Sequence, residues 1–359
     1  MTGSHNRVKV LIIDDSAAVR QVLTKILESD SRISVVGSAP NATIALKKIK
    51  ELNPDVLTLD IEMPGMDGLT FLERLMKSKP MPVVMISSLT GENSPQAFRA
   101  LELGAVDVLE KPKLSIREQL EEISITVVDK VIAASCSKLK SHHELFLKPE
   151  KKLSADAILT KKPPSKGFVP AAKIIAVGAS TGGTDALMSL LKTLPTTMPG
   201  IVIVQHMPRL FTNQFAKRLN QNCAIHVKEA EEGDLVRTGS VFLSPGDKHM
   251  LINRDTRNNY QIQLTEGPLV NRHRPSVNVL FRSVAGTAGA QGIGVLLTGM
   301  GDDGAQGLLE MKEAGAITIA QDKNSSVVFG MPKVAIELGA AGQTSSLEKI
   351  PALLVDYSV

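Results

Sequence analysis

Hydrophobic and polar positions along this chain alternate between two periods. Val8–Ile13, apolar but for Lys9, reads as a buried strand, and behind it Val19, Val22, Leu23, Ile26 and Leu27 recur at helical spacing. The alternation continues with strands expected at Ile33–Gly37, Val56–Leu59, Val83–Ser87 and Val106–Leu109. Helices are expected between them: one capped by Asn41 and running through Lys50, one over Leu69–Lys77 and one over Gln96–Leu103. A last amphipathic helix carries Ile116, Leu120, Ile123 and Val127. Strands and helices in strict alternation predict a doubly wound parallel sheet for a first domain, residues 1–128.

The periodicity then fades. Residues 129–171 read as a helix end and a flexible linker, because KPEKKLSADAILTKKPPSKGFVP is rich in Lys, Pro and Ser and can bury little apolar surface. A second domain, residues 172–359, opens on KIIAVGASTGG, an apolar strand that turns sharply through small residues into a helix reaching Leu194. A strand at Ile201–Val204 and a helix carrying Phe215 and Leu219 follow. Four short strands, Ile225–Lys228, Val241–Leu243, Met250–Asn253 and Gln261–Leu264, lie among many Gly and Pro residues and read as an antiparallel excursion. Alternation resumes with a helix at Val279–Ala285, a strand at Ile293–Leu297, a helix over Gly304–Ala314, a strand at Ile317–Ala320 and a helix over Leu347–Val355. The expectation is a second α/β domain, mainly parallel, with an antiparallel β-hairpin insertion.

Composition narrows the function classes. Aromatic residues make up 3% of the 359 residues and Trp is absent, so the cores must be aliphatic and base stacking has little to work with. The net charge of +4 is mild, and no helix-turn-helix pattern or basic recognition helix is evident, so no nucleic-acid partner is expected. Cys136 and Cys223 stand far apart without metal-ligand spacing, as in a reduced compartment. No apolar run reaches the length of a membrane span, and MTGSHNRVKV has no apolar segment after its basic residues. A cytoplasmic protein without membrane insertion is expected.

In doubly wound sheets the working residues lie just beyond the C-terminal strand ends. In the first domain those ends carry Asp14 and Asp15, then Asp60, Ser87 and Lys111. Three converging carboxylates repel one another unless a divalent cation is bound, and hard oxygen ligands suit Mg²⁺. One carboxylate could then accept a phosphoryl group, with a hydroxyl and an ammonium holding its oxygens. The DD pair, LDIEMPGMDG, the Ser-Ser after the fourth strand and the Lys-Pro resemble the receiver domain of two-component response regulators, a flavodoxin-like (βα)5 fold. The resemblance implies that Asp60 is the phosphorylation site. It also implies that Asp15 and Asp60, Asp14 through water, and the Glu62 carbonyl hold Mg²⁺, and that Ser87 and Lys111 sense the phosphate. Val108 departs from the pattern, since receivers often carry an aromatic switch residue there.

The second domain has three chemically loaded strand ends: Ser180, His206 and the loop Thr298-Gly299-Met300-Gly301-Asp302-Asp303-Gly304. Gly178-Ala179-Ser180-Thr181-Gly182 fits G-x-S-x-G between strand and helix, where a serine is held in the open beside helix N–H groups. A dinucleotide loop is disfavoured by the glycine spacing and by Gln205-His206 where a ribose-binding acid would stand. A serine needs a base, His is the natural one, and an acid must orient it; either Asp302 or Asp303 could serve. The order Ser, His, Asp differs from that of α/β-hydrolases. A non-catalytic output domain that binds a ligand or partner is the rival class.

VGASTGGTDAL, IVIVQHMP, LSPGDKHM, HRPSVNVLF, VLLTGMGDDGAQG and VVFGMP resemble the catalytic domain of chemotaxis protein-glutamate methylesterases, which are built as receiver, linker and esterase. The resemblance implies Ser180 as nucleophile, His206 as base, Asp303 as orienting acid and the Met300 N–H in the oxyanion hole. It implies methyl-accepting chemoreceptors as substrates, glutamine deamidation as a second activity and a chemotaxis histidine kinase as phosphodonor. No cofactor is expected for the ester chemistry. Asn278 stands where an Asp would be expected.

Overall fold

The computed structural model describes residues 7–87, 94–111, 117–137, 152–161 and 173–358, without the side chains of 94–95 and 117–123. The expected apolar positions Ile116, Leu120 and Ile123 lie outside these residues and side chains, as do 138–151 and 162–171 of the expected linker. The chain divides into two compact units, Met1–Phe146 and Leu147–Val359.

The first unit alternates strand and helix: β1 (Val8–Ile13), α1 (Ala17–Glu28), β2 (Ile33–Ala39), α2 (Ala42–Leu52) and β3 (Val56–Asp60). Then come α3 (Gly68–Ser78), β4 (Val83–Ser87), α4 (Ser94–Glu102), β5 (Asp107–Glu110) and α5 (Arg117–Ser135). Helix starts are set by local caps: Ser16 accepts from the Val19 N–H, Asn41 from Ile44 and Asp67 from Thr70. All five strands are parallel in the order β2-β1-β3-β4-β5. The central strands β1, β3 and β4 are buried on both faces apart from the exposed Lys9, as their largely apolar runs require. The order reverses between β1 and β3, which opens a crevice beyond their C-terminal ends. Asp14 and Asp60 stand there.

The second unit begins with a short segment, Lys152–Lys161, drawn from the expected linker. Ser154 caps a 3-10 turn at Ala155–Ala157, and Ala155, Ile158 and Leu159 pack against Leu251, Val270 and Val279. The main alternation follows with β6 (Ile174–Ala179), α6 (Gly183–Lys192), β7 (Gly200–Gln205) and α7 (Arg209–Asn222). Next are β8 (His226–Glu229), β9 (Ser240–Leu243), β10 (His249–Arg254), β11 (Tyr260–Thr265) and α8 (Val277–Ala288). The unit closes with β12 (Gly292–Leu296), α9 (Ala305–Glu313), β13 (Ile317–Gln321), α10 (Met331–Glu337), β14 (Gln343–Ser345) and α11 (Ile350–Ser358).

Its seven-stranded sheet runs β14-β13-β12-β6-β7-β9-β8, with every pair parallel. Only half of the expected antiparallel excursion is therefore antiparallel. β8 and β9 extend the main sheet, and β10 and β11 alone form the hairpin. Short strands among glycines do not reveal direction, because the pairing partner decides it. α10 and β14 were not anticipated; both are short, and neither has a long periodic signal.

Helix α8 is buried along almost its whole length and packs under β6 and the hairpin strand β10. A buried charged pair goes in with it. Arg282 makes a two-armed ion pair to Glu310, at 2.8 and 2.7 Å, and also holds Asp156 and the Leu159 carbonyl of the linker-derived segment. With Arg282 and Glu310 both nearly inaccessible, removing one partner strands a buried charge, at a cost of about 3–5 kcal/mol. Arg282→Ala should destabilise the second unit by that order in denaturant unfolding, while the paired change Arg282→Met with Glu310→Leu should cost less. An unaltered midpoint in Arg282→Ala would contradict this account.

Candidate functional site

In the first unit Asp14 lies just past β1 and Asp60 ends β3, both buried, while Asp15 is exposed. One oxygen from each of the three acids lies within 4.8 Å of the others. Lys111 reaches across the crevice to Asp60 at 2.7 Å and to Asp14 at 3.1 Å. The Ser16 N–H donates to Asp14 at 2.8 Å and the Glu62 N–H to Asp60 at 3.2 Å. At the end of β4 the Ser87 hydroxyl is buried without a hydrogen-bond partner among the described residues. Its carbonyl accepts from the Lys111 N–H, so the hydroxyl and the ammonium are fixed on adjacent chain ends. Val108 is buried in β5 opposite Met85. The structure thus gathers Asp14, Asp15, Asp60, Glu62, Ser87 and Lys111 at one end of one sheet.

Three acids and one lysine leave a surplus of negative charge. Burial pushes the Asp60 carboxyl up to about 6; the Lys111 hydrogen bond opposes this and the Asp14 charge adds to it. Burial likewise raises Asp14. On Lys111 burial works against the charge, but Asp60 and Asp14 outweigh it and the ammonium is stabilised. A hard oxygen set with excess negative charge and a buried, unmatched hydroxyl fits a Mg²⁺ ion and a phosphoryl group together.

In the second unit β6 and β7 pair with Ala179 opposite Gln205, which brings Ser180 and His206 to neighbouring strand ends, about 5 Å apart in the sheet direction. The His206 N–H donates to the Ala179 carbonyl at 3.1 Å. On the other side of β6, the Ser180 N–H donates to Thr298 at 3.0 Å. The next residue is Gly299, where an added Cβ would stand 2.8 Å from the Ser180 Cβ, so only glycine lets this loop lie against the serine. Met300 is one residue further along. From β7 the Gln205 amide donates to the Ser180 carbonyl at 2.9 Å, and any side chain at Gly183 would collide with that amide.

Asp303 is buried at the start of α8, far from it in sequence. It accepts from the Ser276 hydroxyl at 2.8 Å, the Val277 N–H at 2.7 Å and the Asn278 N–H at 3.1 Å. Its fourth partner is the His206 Nε2, at 2.9 Å. Burial pushes this carboxyl upward, and His273, Ser276 and the α8 amides pull it back. Four donors converge on two oxygens, which is the environment of an ionised carboxylate at a helix N-terminus. An acceptor-only partner puts the His206 hydrogen on Nε2 and leaves a basic lone pair on Nδ1. Asp302 is committed elsewhere, to Lys152 at 2.8 Å and Asn271 at 3.3 Å.

Several supporting residues carried no sequence expectation. Ser276 is the residue before α8, and its type ahead of an apolar helical run was the signal that could have found it. His249 is buried, its Nδ1 accepting from the Ser276 N–H at 3.2 Å and its Nε2 facing the Pro268 carbonyl at 3.0 Å. Burial holds its pKa down, so it stays a neutral brace. Asn278 is also resolved: its side-chain oxygen accepts from the Gly307 N–H at 2.7 Å. An amide does this without placing a second carboxylate beside Asp303.

Residues 175–354 match the family model of the CheB methylesterases, and residues 10–123 match that of response regulator receiver domains. This chain belongs to the CheB methylesterase family. Among curated members, the protein-glutamate methylesterase/protein-glutamine glutaminase 1 of Geobacter metallireducens is 51% identical over 350 residues, covering 98% of this chain and 96% of that protein. The Escherichia coli member of the same name is 49% identical, over 96% of this chain and 95% of its own length. Among solved structures, the Thermotoga maritima CheB methylesterase catalytic domain matches 52% of this chain and 98% of its own, at 39% identity and a TM-score of 0.51. Among the described residues, no helix is long and apolar enough to cross a membrane.

The raised Asp60 carboxyl has a definite consequence for stability in this family member. The folded state holds the Asp60 proton more tightly than an ordinary carboxyl of pKa 3.8, so deprotonation between 3.8 and about 6 weakens the fold. In EDTA, the stability of wild type relative to Asp60→Asn should fall as pH rises through that window. Parallel pH profiles of the two proteins in chemical denaturation would refute the assignment.

Proposed function

We propose that this protein is a phosphorylation-switched protein-glutamate methylesterase and protein-glutamine glutaminase that acts on chemoreceptors through Ser180, His206 and Asp303. The carrying observation is the register of β6 and β7, which starts Ser180 and His206 side by side, with His206 held 2.9 Å from Asp303. The Ser180 Oγ attacks the γ-carbonyl carbon of a glutamate methyl ester while the His206 Nδ1 takes the hydroxyl proton. Asp303 stabilises the resulting imidazolium and fixes its tautomer. The Met300 N–H, assigned by the family resemblance, and the N-terminus of α6 stabilise the oxyanion.

Collapse of the tetrahedral intermediate breaks the ester C–O bond, and His206 returns its proton to the departing methanol. Water, deprotonated by His206, then attacks the acyl-enzyme to leave glutamate and regenerate the Ser180 hydroxyl. With a glutamine side chain the leaving group is ammonia and the product is again glutamate. Ser180→Ala should abolish methanol release from methylated receptors, and Asp303→Asn should lower kcat by on the order of 10⁴-fold. A fluorophosphonate should label Ser180 and fail to do so in His206→Ala. Substantial methanol release by Ser180→Ala would sink the triad.

The first unit supplies the switch. The Asp60 carboxylate accepts a phosphoryl group from a histidine kinase of the chemotaxis type, forming an acyl phosphate. Asp15 and Asp60, Asp14 through water and the Glu62 carbonyl would hold Mg²⁺, whose charge would let the acids and the phosphoryl oxygens share one crevice. The Ser87 hydroxyl and Lys111 ammonium receive the phosphoryl oxygens. This fits a cytoplasmic protein that meets both kinase and receptor there. The receiver restrains the esterase until Asp60 is phosphorylated. Deleting Met1 to Lys140 should therefore raise basal esterase activity. A truncated enzyme no faster than the unphosphorylated full chain would count against restraint.

A further inference from the structure

His206 has a second contact that the triad does not use. The ring of His273 lies against it, with centroids 3.7 Å apart and planes 15° from parallel. We propose that His273 is a positioning residue of the esterase. Its ring is a fixed wall that holds the plane of His206, keeping Nε2 on Asp303 and Nδ1 toward Ser180. The proposal rests on the triad reading above.

The wall is built independently of His206. Val270 and His273 exchange backbone hydrogen bonds of 2.9 and 3.1 Å around a two-residue turn, in which Asn271 and Arg272 both take positive φ, 49° and 70°. Two successive left-handed residues are the mark of a tight hairpin turn, and Asn is favoured at its first centre. Arg272 is not a residue that adopts this conformation readily, so the surroundings must impose it. They do. The Asn271 N–H donates to the Leu153 carbonyl at 2.9 Å, and its amide reaches Asp302, which is paired with Lys152. Val270 is fully buried beside Ala155, Leu251 and Val279. On the other flank, Arg274 donates to the Gly267 carbonyl and Ser276 holds Asp303. His273 is thus clamped between the linker-derived segment and the residue that orients the acid.

This wall matters because a hydrogen bond at one ring nitrogen fixes the position of an imidazole but leaves it a hinge. His206 must keep one plane while it takes the Ser180 proton and returns it to methanol. A flat ring stacked on the face of His206 resists its rotation out of plane, whichever nitrogen carries the proton. The other candidate roles fit less well. His273 is not placed to replace His206 as base, because His206 holds the register position beside Ser180, and a purely structural role would not require ring-on-ring contact.

The test is steady-state kinetics of the full chain, phosphorylated, on methylated receptors, with thermal unfolding measured alongside. His273→Ala should lower kcat about tenfold with KM and the unfolding midpoint little changed, a loss on the scale of one aromatic pair. His273→Phe, which keeps a flat face without ring nitrogens, should recover most of the kcat. Wild-type kcat in His273→Ala would overturn the proposal. So would a loss that tracks a lowered midpoint, or one that Phe does not restore. Ser180→Ala and His206→Ala run in parallel keep the two readings apart: if either remains active, the triad itself fails, and if both are inactive, the His273 result stands alone.

Discussion

A carboxylate removed from water survives in a protein interior only where donors replace its lost hydration, and the second unit is arranged around one such group. Asp303 is nearly inaccessible, and its neighbours are explained by that fact. Helix α8 begins where its first N–H groups can reach the carboxylate. Ser276 turns its hydroxyl to Asp303 rather than to its own helix, and the neutral His249 fixes Ser276 from behind. Asn278 does hydrogen-bonding work without adding charge. The remaining donor is His206, whose basic nitrogen is thereby directed away from the acid. Stability and the poise of the base come from the same four bonds.

The first unit answers the same constraint in the opposite way. Asp60 and Asp14 are buried with one shared lysine and few backbone donors, so the charge is under-compensated and the carboxyl titrates high, at about 6 for Asp60. A crevice in that condition is one that a cation and a phosphoryl group improve on arrival, and the buried Ser87 hydroxyl is a further unmatched group there. Asp303 is held ready for a charge that is always present; the Asp60 crevice waits for charge to be delivered. Both lie beyond the C-terminal ends of parallel strands, where loops from distant parts of the chain meet without disturbing the sheet.

Much of this was legible in the residues. Apolar runs marked most strands of both sheets, and Asn41 announced a helix start that the structure has. Ser180 and His206 could be picked out because each follows such a run, and the register of β6 and β7 then places them side by side. The supporting residues were hidden for a common reason. Ser276, His249 and His273 act through partners well separated from them in sequence, and none sits at the end of an apolar run. The direction of β8 and β9 was hidden too, since a short strand pairs according to which edge is open to it. Nor did the Lys- and Pro-rich stretch betray that Lys152–Lys161 packs on α8 and its neighbours, because the groups that hold it, Arg282, Asp302 and Glu313, belong to later parts of the chain.

The sequence by itself determined what depends on nearest neighbours: the order of strands and helices, the small residues around Ser180, and the types of side chain at each strand end. These follow from periodicity, capping and steric limits, which act over a few residues. Only the tertiary structure decided which of two adjacent acids faces the histidine. Asp302 and Asp303 are alike in chemistry and differ in where the start of α8 and the Lys152 segment come to rest. That difference is one of long-range packing, and no local rule records it.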